Sequence, residues 1–423
     1  MDRVIFTNAV VVDLDAGARP NATVAIAGER IEAVSFEPAP SSVEGAQVID
    51  LAGRTLMPGL FNCHYHAAYK RAGGGLPIGM EAPPALQTLR AARHLRMALD
   101  CGFTGVVSAG APYAIDAGLK AAVEEGTIPG PRIMAGSRDV STTGHSQDMA
   151  YPWHWGPGEA PATNCRNGAD DFRRGVREEI KRGAEIIKIF LTTGHAVPGQ
   201  TPELELSREE LAAAIETAHL RGAKVRAHIA NRTGLMTALE HGIDVVDHGD
   251  GLDEAGIDLM LKTGAFLVPS MLFPHRLAQV VKGPYADVLK ASEEQMLKIL
   301  PLANKAGVKL LLGDDFGAIP LEHGEYADEL DFYVNVAGIP PLDVLRWGTR
   351  NGAALMGRGH ELGAVKAGAL ADLVVVDGDP LADIRVLRQS ERIVAVLKGG
   401  RFEKDLLGLR APGRRGPEGV LAG

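Results

Sequence analysis

An apolar run ends in two histidines in the segment Met57-Pro58-Gly59-Leu60-Phe61-Asn62-Cys63-His64-Tyr65-His66. The histidines follow the pattern His-x-His, and side chains two residues apart on a β-strand point to the same face. Both imidazoles therefore lie on one side of a strand end, where a single metal ion could bind both. The alternative is an exposed pair of histidines. Candidate ligands at other strand ends would favour the metal site over this alternative.

Residues 57 to 357 alternate strand-like and helix-like segments, which is typical of a parallel sheet. Ser207 and Glu210 predict a capping box at the start of one helix, and Gly222 predicts its end. Eight strand–helix units in about 300 residues predict a (β/α)8 TIM barrel with insertions, and a doubly wound open sheet is the alternative. The predicted strands are Leu56–His66, Phe103–Ser108, Arg132–Gly136, Glu185–Leu191, Lys224–Ile229, Val245–His248, Ala265–Ser270 and Val308–Asp315. Predicted helices include Ala85–Leu99, Asp170–Arg182, Ser207–Arg221 and Arg232–His241.

Short strands precede and follow this alternating region. A small β segment cannot bury both of its faces alone, so we expect the two chain ends to associate. The sequence thus predicts a β-sandwich domain formed by residues 1–56 and 358–405, a barrel at 57–357 and a flexible tail at 406–423.

The composition limits the classes of partner. A net charge of -9 over 423 residues argues against a nucleic-acid surface. We expect no signal peptide, because the first residues lack a basic start and an apolar run, and no membrane span. Cys63, Cys101 and Cys165 are too few and too scattered to indicate disulfides. The expected location is the cytoplasm.

Polar residues stand at the ends of further predicted strands. Lys188 lies in the apolar strand Ile186-Ile187-Lys188-Ile189-Phe190, where it is either neutral for chemistry or salt-bridged to an acid. His228 and His248 end two later strands, where a lone histidine would more often be a core residue. Asp314 and Asp315 close the last strand, and only one of two consecutive residues can face the barrel axis.

Together these residues predict a metal centre. Imidazole nitrogen and carboxylate oxygen suit zinc and similar divalent ions. Six candidate ligands exceed the three protein ligands of a single catalytic zinc ion, so two divalent ions could share them. The six are His64, His66, Lys188, His228, His248 and one aspartate.

The order His-x-His, Lys, His, His, Asp resembles the amidohydrolase superfamily. The likeness covers nearly the whole chain except the tail. Within the superfamily, the chain is similar to the branch of prolidase-like dipeptidases and imidazolonepropionase-like proteins. The motifs that carry this likeness are Met57–Leu60, Ile187–Ile189, Gly313–Asp315 and Ala367–Leu381.

The resemblance implies a role for each position. His64 and His66 would bind the more buried metal with an aspartate, and His228 and His248 would bind the second metal. Lys188, as a carbamate, would bridge the two ions, which are expected to be zinc. The family's aspartate is third in a Gly-Thr-Asp segment, which corresponds to Asp315 and puts Asp314 in place of the threonine.

Four further positions bear on the substrate and on the barrel interior. His145, in the long loop 141–168, resembles a residue that contacts the scissile group or carboxylate in prolidase-like relatives, although a surface position is the alternative. A second long loop, 192–206, carries His195. Prolidase-like relatives have an aromatic or histidine residue two places after the fifth-strand histidine, and here that residue is Ala230. Arg226 should face inward beside His228, where an unpaired guanidinium would be costly.

The resemblance implies a binuclear metal-dependent hydrolase. A hydroxide between the ions would attack a carbonyl, and Asp315 would move its proton to the leaving nitrogen. The expected substrate is a small-molecule amide such as a dipeptide or an N-acyl amino acid, and we expect a homo-oligomer. One alternative is a mononuclear deaminase or ring hydrolase of the same superfamily, and another is a metal-free relative serving as a scaffold.

Overall fold

The computed structural model describes residues 3–37, 42–73, 76–145, 148, 160–194 and 203–408. His195 and residues 409–423 of the expected tail lie outside these ranges, as do residues 146–147 and 149–159 of the first long loop. Within the described ranges, no helix combines the length and the apolar character needed to cross a bilayer.

The chain begins with strands that belong to one sheet. β1 and β2 pair as a long antiparallel hairpin, and β4 and β5 both run parallel to β1. These strands are β1 (Arg3–Asp13), β2 (Gly17–Ala27), β3 (Arg30–Ser35), β4 (Ala46–Asp50) and β5 (Thr55–Pro58).

Strands and helices then alternate through the middle of the chain. The strands are β6 (Leu60–Tyr65), β7 (Phe103–Ser108), β8 (Arg132–Met134), β9 (Gly136–Ser141), β10 (Thr163–Cys165), β11 (Ile186–Phe190), β12 (Lys224–Ile229), β13 (Val245–His248), β14 (Phe266–Val268) and β15 (Lys309–Leu310). The helices are α1 (Pro84–Asp100), α2 (Ile115–Glu124), α3 (Ala169–Lys181), α4 (Arg208–His219), α5 (Arg232–Glu240), α6 (Glu254–Thr263), α7 (Leu272–Val280), α8 (Pro284–Ala306), α9 (Ala327–Asn335), α10 (Pro341–Arg346) and α11 (Gly352–Leu355). The predicted capping box is present, since Ser207 Oγ accepts from the Glu210 amide and Glu210 accepts from the Ser207 amide.

The middle strands pair in parallel in two sheets. One sheet has the order β6-β7-β8 and the other β10-β9-β11-β12-β13-β14-β15. Only Ala135 separates β8 from β9, so one segment joins both sheets. The Cys63 amide donates to the Leu312 carbonyl at 2.7 Å, which links the segment after β15 back to β6. The parallel α/β arrangement is therefore present, but three strand predictions need correction. The predicted strand Leu56–His66 is divided between β5 of the first sheet and β6, the predicted strand Val308–Asp315 is shortened to β15, and β9 and β10 were not predicted.

The chain ends complete the first sheet. β16 (Leu373–Val376) pairs antiparallel with β5, and β17 (Ile393–Lys398) and β18 (Arg401–Asp405) follow it outward. The order is β18-β17-β16-β5-β1-β2-β3, with β4 also paired to β1. Strands from both chain ends thus share one mixed sheet, as the association of the ends requires. The division into domains and the two layers of a sandwich stay predictions.

Gly313 lies where the segment after β15 passes close to β6. An added Cβ would stand 2.1 Å from the His64 backbone nitrogen, and the φ of Gly313 is 149°. Only glycine can bring the chain this close. The spacing between the segments that carry His64 and Asp315 therefore depends on it.

We predict that Gly313→Ala lowers the free energy of unfolding by about 3 kcal/mol, because the new methyl group collides with backbone atoms. Urea denaturation measures the loss. Gly222→Ala is the matched control: Gly222 also has a positive φ, of 74°, but open space around it, so a loss of about 1 kcal/mol is expected. Equal losses in the two variants would contradict the proposed close approach.

Candidate metal centre

His64, His66 and Asp315 meet at the carboxyl ends of the strands. The Asp315 Oδ1 atom lies 3.2 Å from His64 Nε2 and 3.3 Å from His66 Nε2. Among the described residues, this is the group whose nitrogen and oxygen donors all lie within 4.8 Å of one another. Both histidines are buried, and the Asp315 side chain keeps 19 % of its surface exposed.

Hydrogen bonds orient both imidazoles. Ser270 Oγ donates its single proton to the Gly313 carbonyl at 2.9 Å and lies 3.0 Å from His64 Nδ1, so it accepts from that nitrogen. His66 Nδ1 lies 3.0 Å from the Gly110 carbonyl, which can only accept. Each histidine therefore directs Nε2 toward Asp315.

These contacts test whether a metal ion fits. Burial lowers the pKa of His64 to about 4, although the carboxylates of Asp315 and Asp247 oppose the shift, so the ring is neutral at pH 7. With the proton on Nδ1, the Nε2 lone pair faces a carboxylate oxygen. Two such acceptors repel each other unless a cation lies between them. The donor set of two imidazoles and one carboxylate suits a divalent ion such as zinc.

His228 and His248 lie beside this group. The His228 and His248 ring centroids are 4.4 Å apart, and the His64 and His248 centroids are 5.3 Å apart. His228 Nε2 donates to the Thr193 carbonyl at 3.2 Å. His248 has a φ of 67°, which turns it at the strand end so that both it and the preceding Asp247 contact residues of the centre.

Lys188 is buried on β11, as predicted, and it is ion-paired. Its Nζ donates to Asp247 Oδ2 at 2.6 Å. This contact corresponds to the salt bridge that the sequence left open as an alternative. The carbamate stays a prediction.

The structure accounts for Arg226, and the concern that its guanidinium is unpaired is wrong. Nε and Nη2 donate to the two oxygens of Asp247, while Nη1 donates to the carbonyls of Cys63 and Ser108, each at 2.8 Å. Sequence reasoning missed Asp247. Its position directly before His248 is the signal that could have drawn attention to it.

Asp139 is a second buried carboxylate that the sequence reasoning missed. It lies on β9 in register with Lys188, and burial raises its pKa to about 7, partly opposed by the charge of Lys188. Its Oδ1 has no hydrogen-bond partner among the described residues. An added Cβ on Gly110 would lie 2.5 Å from that oxygen, so Asp139 points toward the segment that orients His66.

The two adjacent acids separate as alternation requires. Asp314 Oδ2 accepts from the amides of Leu272 and Phe273 at 2.8 and 3.2 Å, and Oδ1 accepts from the Asp315 amide at 2.8 Å. Asp314 therefore holds the start of α7, and Asp315 is the residue that faces the histidines.

Aromatic rings surround the histidines. Tyr69, which the sequence did not single out, stacks on His66 with centroids 4.0 Å apart, and Phe190 stacks on His228 at 4.8 Å. The alternative surface position for His145 is wrong, because the side chain is buried 5.8 Å from the Phe190 ring. Burial lowers the pKa of His145 to about 4. Its contact with a substrate stays a prediction.

The chain thus combines a parallel α/β fold with a group of two histidines and one aspartate, at the strand ends, that could hold a metal ion. The sequence model of the Amidohydrolase family matches residues 55–402, and the chain belongs to that family. Its membership implies a TIM-barrel-like α/β fold and an enzyme that hydrolyses carbon–nitrogen bonds, as the resemblance led us to expect.

Comparisons with individual proteins agree with this family assignment. The chain is 30% identical to ochratoxinase of Aspergillus niger over 378 residues, covering 82% of this chain and 75% of the relative. It is 26% identical to imidazolonepropionase of Xanthomonas campestris pv. campestris, covering 90% and 94% of the two chains. A solved structure of a prolidase complexed with N-methylphosphonate-L-proline superposes with a TM-score of 0.83 at 30% identity, covering 95% and 100% of the chains.

We predict that Ser270→Ala weakens divalent-ion binding by about tenfold, because His64 loses the acceptor that fixes its tautomer. Competition with a chromophoric chelator measures the affinity. Ser270→Thr keeps the hydroxyl group and should restore most of it. Wild-type affinity in the alanine variant would show that Ser270 does not orient His64.

Proposed function

We propose that the chain is a binuclear metal-dependent amidohydrolase that cleaves an amide bond in a small molecule such as a dipeptide or an N-acyl amino acid. The observation that carries the proposal is the convergence of Asp315 Oδ1 with the Nε2 atoms of His64 and His66. The neighbouring rings of His228 and His248 supply further donors.

Two ions would share the centre in this proposal. His64, His66 and Asp315 would hold one ion, His228 and His248 the other, and Lys188 as a carbamate would contribute to both. When bound, divalent ions such as zinc supply Lewis-acid activation of water and of the substrate carbonyl. The placement of Asp139 supports a positively charged centre, because its buried Oδ1 has no hydrogen-bond partner among the described residues and points toward the segment that orients His66.

The chain's own residues move the proton and shape the site. Asp315 is partly exposed, so its carboxylate can accept a proton from the attacking water and pass it to the leaving nitrogen. Tyr69 and Phe190 cover the outer faces of His66 and His228 with apolar rings, which excludes water from those faces. His145 would contact the scissile group from the first long loop.

Two observations bear on the substrate class. One is the activity named for similar proteins, and the other is a residue at which this chain departs from the prolidase-like pattern. Prolidase and Xaa-Pro dipeptidase structures among the relatives support a dipeptide-like amide. Ala230 replaces the aromatic or histidine residue expected there, which favours a substrate that departs from common dipeptides. We also propose that the chain forms a homo-oligomer and acts in the cytoplasm.

The same proposal includes the finer architecture. The contact between Cys63 and Leu312 supports closure of the parallel strands into a (β/α)8 barrel. The mixed sheet supports one β-sandwich domain made from residues 1–56 and 358–405 around a barrel at 57–357.

A second candidate is a one-ion hydrolase acting on a cyclic amide or as a deaminase. The ion pair between Lys188 and Asp247 favours it, because a lysine held as an ammonium group is no metal ligand. The number of bound ions separates the two candidates.

We predict about two divalent ions per wild-type chain and at most one in Lys188→Ala, with activity lost in parallel. Elemental analysis of protein purified with added zinc counts the ions. A short carboxylic acid should partly restore both properties by supplying the missing oxygens. Lys224→Ala is the control, since Lys224 lies on β12 in a surface ion pair, and its ion count should not change. One ion at full activity in the wild type would reject the binuclear proposal.

We predict that Asp315→Asn reduces turnover on a hydrolysed dipeptide or N-acyl amino acid by roughly 10²-fold or more, because the amide cannot accept the proton. Asp314→Asn should chiefly lower thermal stability, since Asp314 anchors the start of α7. Steady-state kinetics and thermal unfolding of both variants test the pair. The reverse pattern would mean that Asp314, and not Asp315, serves the reaction.

A further inference from the structure

Arg226 is an arginine with no exposed surface in the interior of the parallel strands. It lies on β12, two residues before His228, and its side chain is fully enclosed by protein. A guanidinium buried this deeply is tolerated only when its donors are matched. Its contacts therefore show what it holds in place.

Two of the three residues that accept hydrogen bonds from Arg226 directly precede candidate ligands in the chain. Nη1 bonds the carbonyl of Cys63, the residue before His64, and the carbonyl of Ser108 at the end of β7. Nε and Nη2 bond Asp247, the residue before His248. The guanidinium thus connects the ends of β6, β7, β12 and β13, three of which lead directly into candidate ligands.

Asp247 extends this connection to Lys188. Its carboxylate accepts two hydrogen bonds from Arg226 and one from Lys188 Nζ within the described part of the chain. Without Arg226, Asp247 would keep Lys188 as its remaining charged donor at hydrogen-bond distance. The orientation of the lysine therefore depends on how Arg226 holds the carboxylate.

We propose that Arg226 is a positioning residue of the metal centre, whose guanidinium fixes the spacing of His64, His228 and His248 and, through Asp247, the place of Lys188. The inference rests on the proposed metal-dependent function and adds to it a residue that touches no substrate. The planar fork of arginine is essential, because a lysine ammonium cannot reach two carbonyls and both carboxylate oxygens together.

The test compares two buried arginines. Arg138 on β9 is also buried and ion-paired, with Nε and Nη2 both donating to the same oxygen, Oε1 of Glu179, but Glu179 is on α3 and is not a member of the centre. Arg226→Lys and Arg138→Lys should both lower the melting temperature, since each loses buried hydrogen bonds of its guanidinium group. Only Arg226→Lys should change the metal centre.

Cobalt(II) is the probe, because its visible spectrum reports the ligand arrangement independently of activity. Below the melting temperature, we expect Arg226→Lys to bind cobalt at least about tenfold more weakly, with an altered spectrum, and Arg138→Lys to keep wild-type affinity and spectrum. Wild-type cobalt binding by a folded Arg226→Lys protein would overturn the inference. Equal losses in both variants would overturn it too, because they would reflect stability alone.

Asp247→Asn keeps the test decisive if Arg226→Lys does not fold. The amide preserves shape and one acceptor but removes the charge, so cobalt affinity should again fall and the spectrum should change. An unchanged spectrum and affinity in Asp247→Asn would overturn the inference while leaving the proposed function standing. A wild-type chain that binds no cobalt would overturn the proposed function and, with it, this inference.

Discussion

Charge buried among parallel strands has to be matched within a few ångströms, and this constraint organises the centre of the molecule. The Asp247 carboxylate accepts hydrogen bonds from both Arg226 and Lys188, and Arg226 also donates to two backbone carbonyls. Breaking such a pair typically costs 3–5 kcal/mol, because one charge is left without a partner. Removing any one of these contacts would leave a buried charge unmatched. The strand ends that carry the histidines therefore depend on all of these contacts together.

The sequence predicted most of the parallel strands and singled out the ligand candidates, because both follow local rules. Alternation places His64 and His66 on the same side of the chain at the end of β6, and it separates Asp315 from Asp314 in the segment after β15. The capping box at Ser207 is equally local, and it is present. The family resemblance, carried by motifs spread from Met57 to Leu381, is confirmed by the match to the Amidohydrolase family.

Contacts between distant strands were not predictable in the same way. Arg226 looked unpaired because its acceptors lie 21 to 163 residues away in sequence. Asp247 was overlooked because alternation assigns it and His248 to opposite faces, whereas the left-handed backbone at His248 lets both contact the centre. No sequence pattern pointed to Ser270 or Asp139. Their importance follows from register, which sets a serine hydroxyl beside His64 and a carboxylate beside Lys188.

The account depends most directly on where metal ions bind. Diffraction data from zinc-loaded crystals, collected above and below the zinc absorption edge, would locate them by anomalous scattering. The account predicts two anomalous peaks, one among His64, His66 and Asp315 and one beside His228 and His248, with added density on Lys188 Nζ. A single peak, with no added density on Lys188 Nζ, would contradict the binuclear proposal.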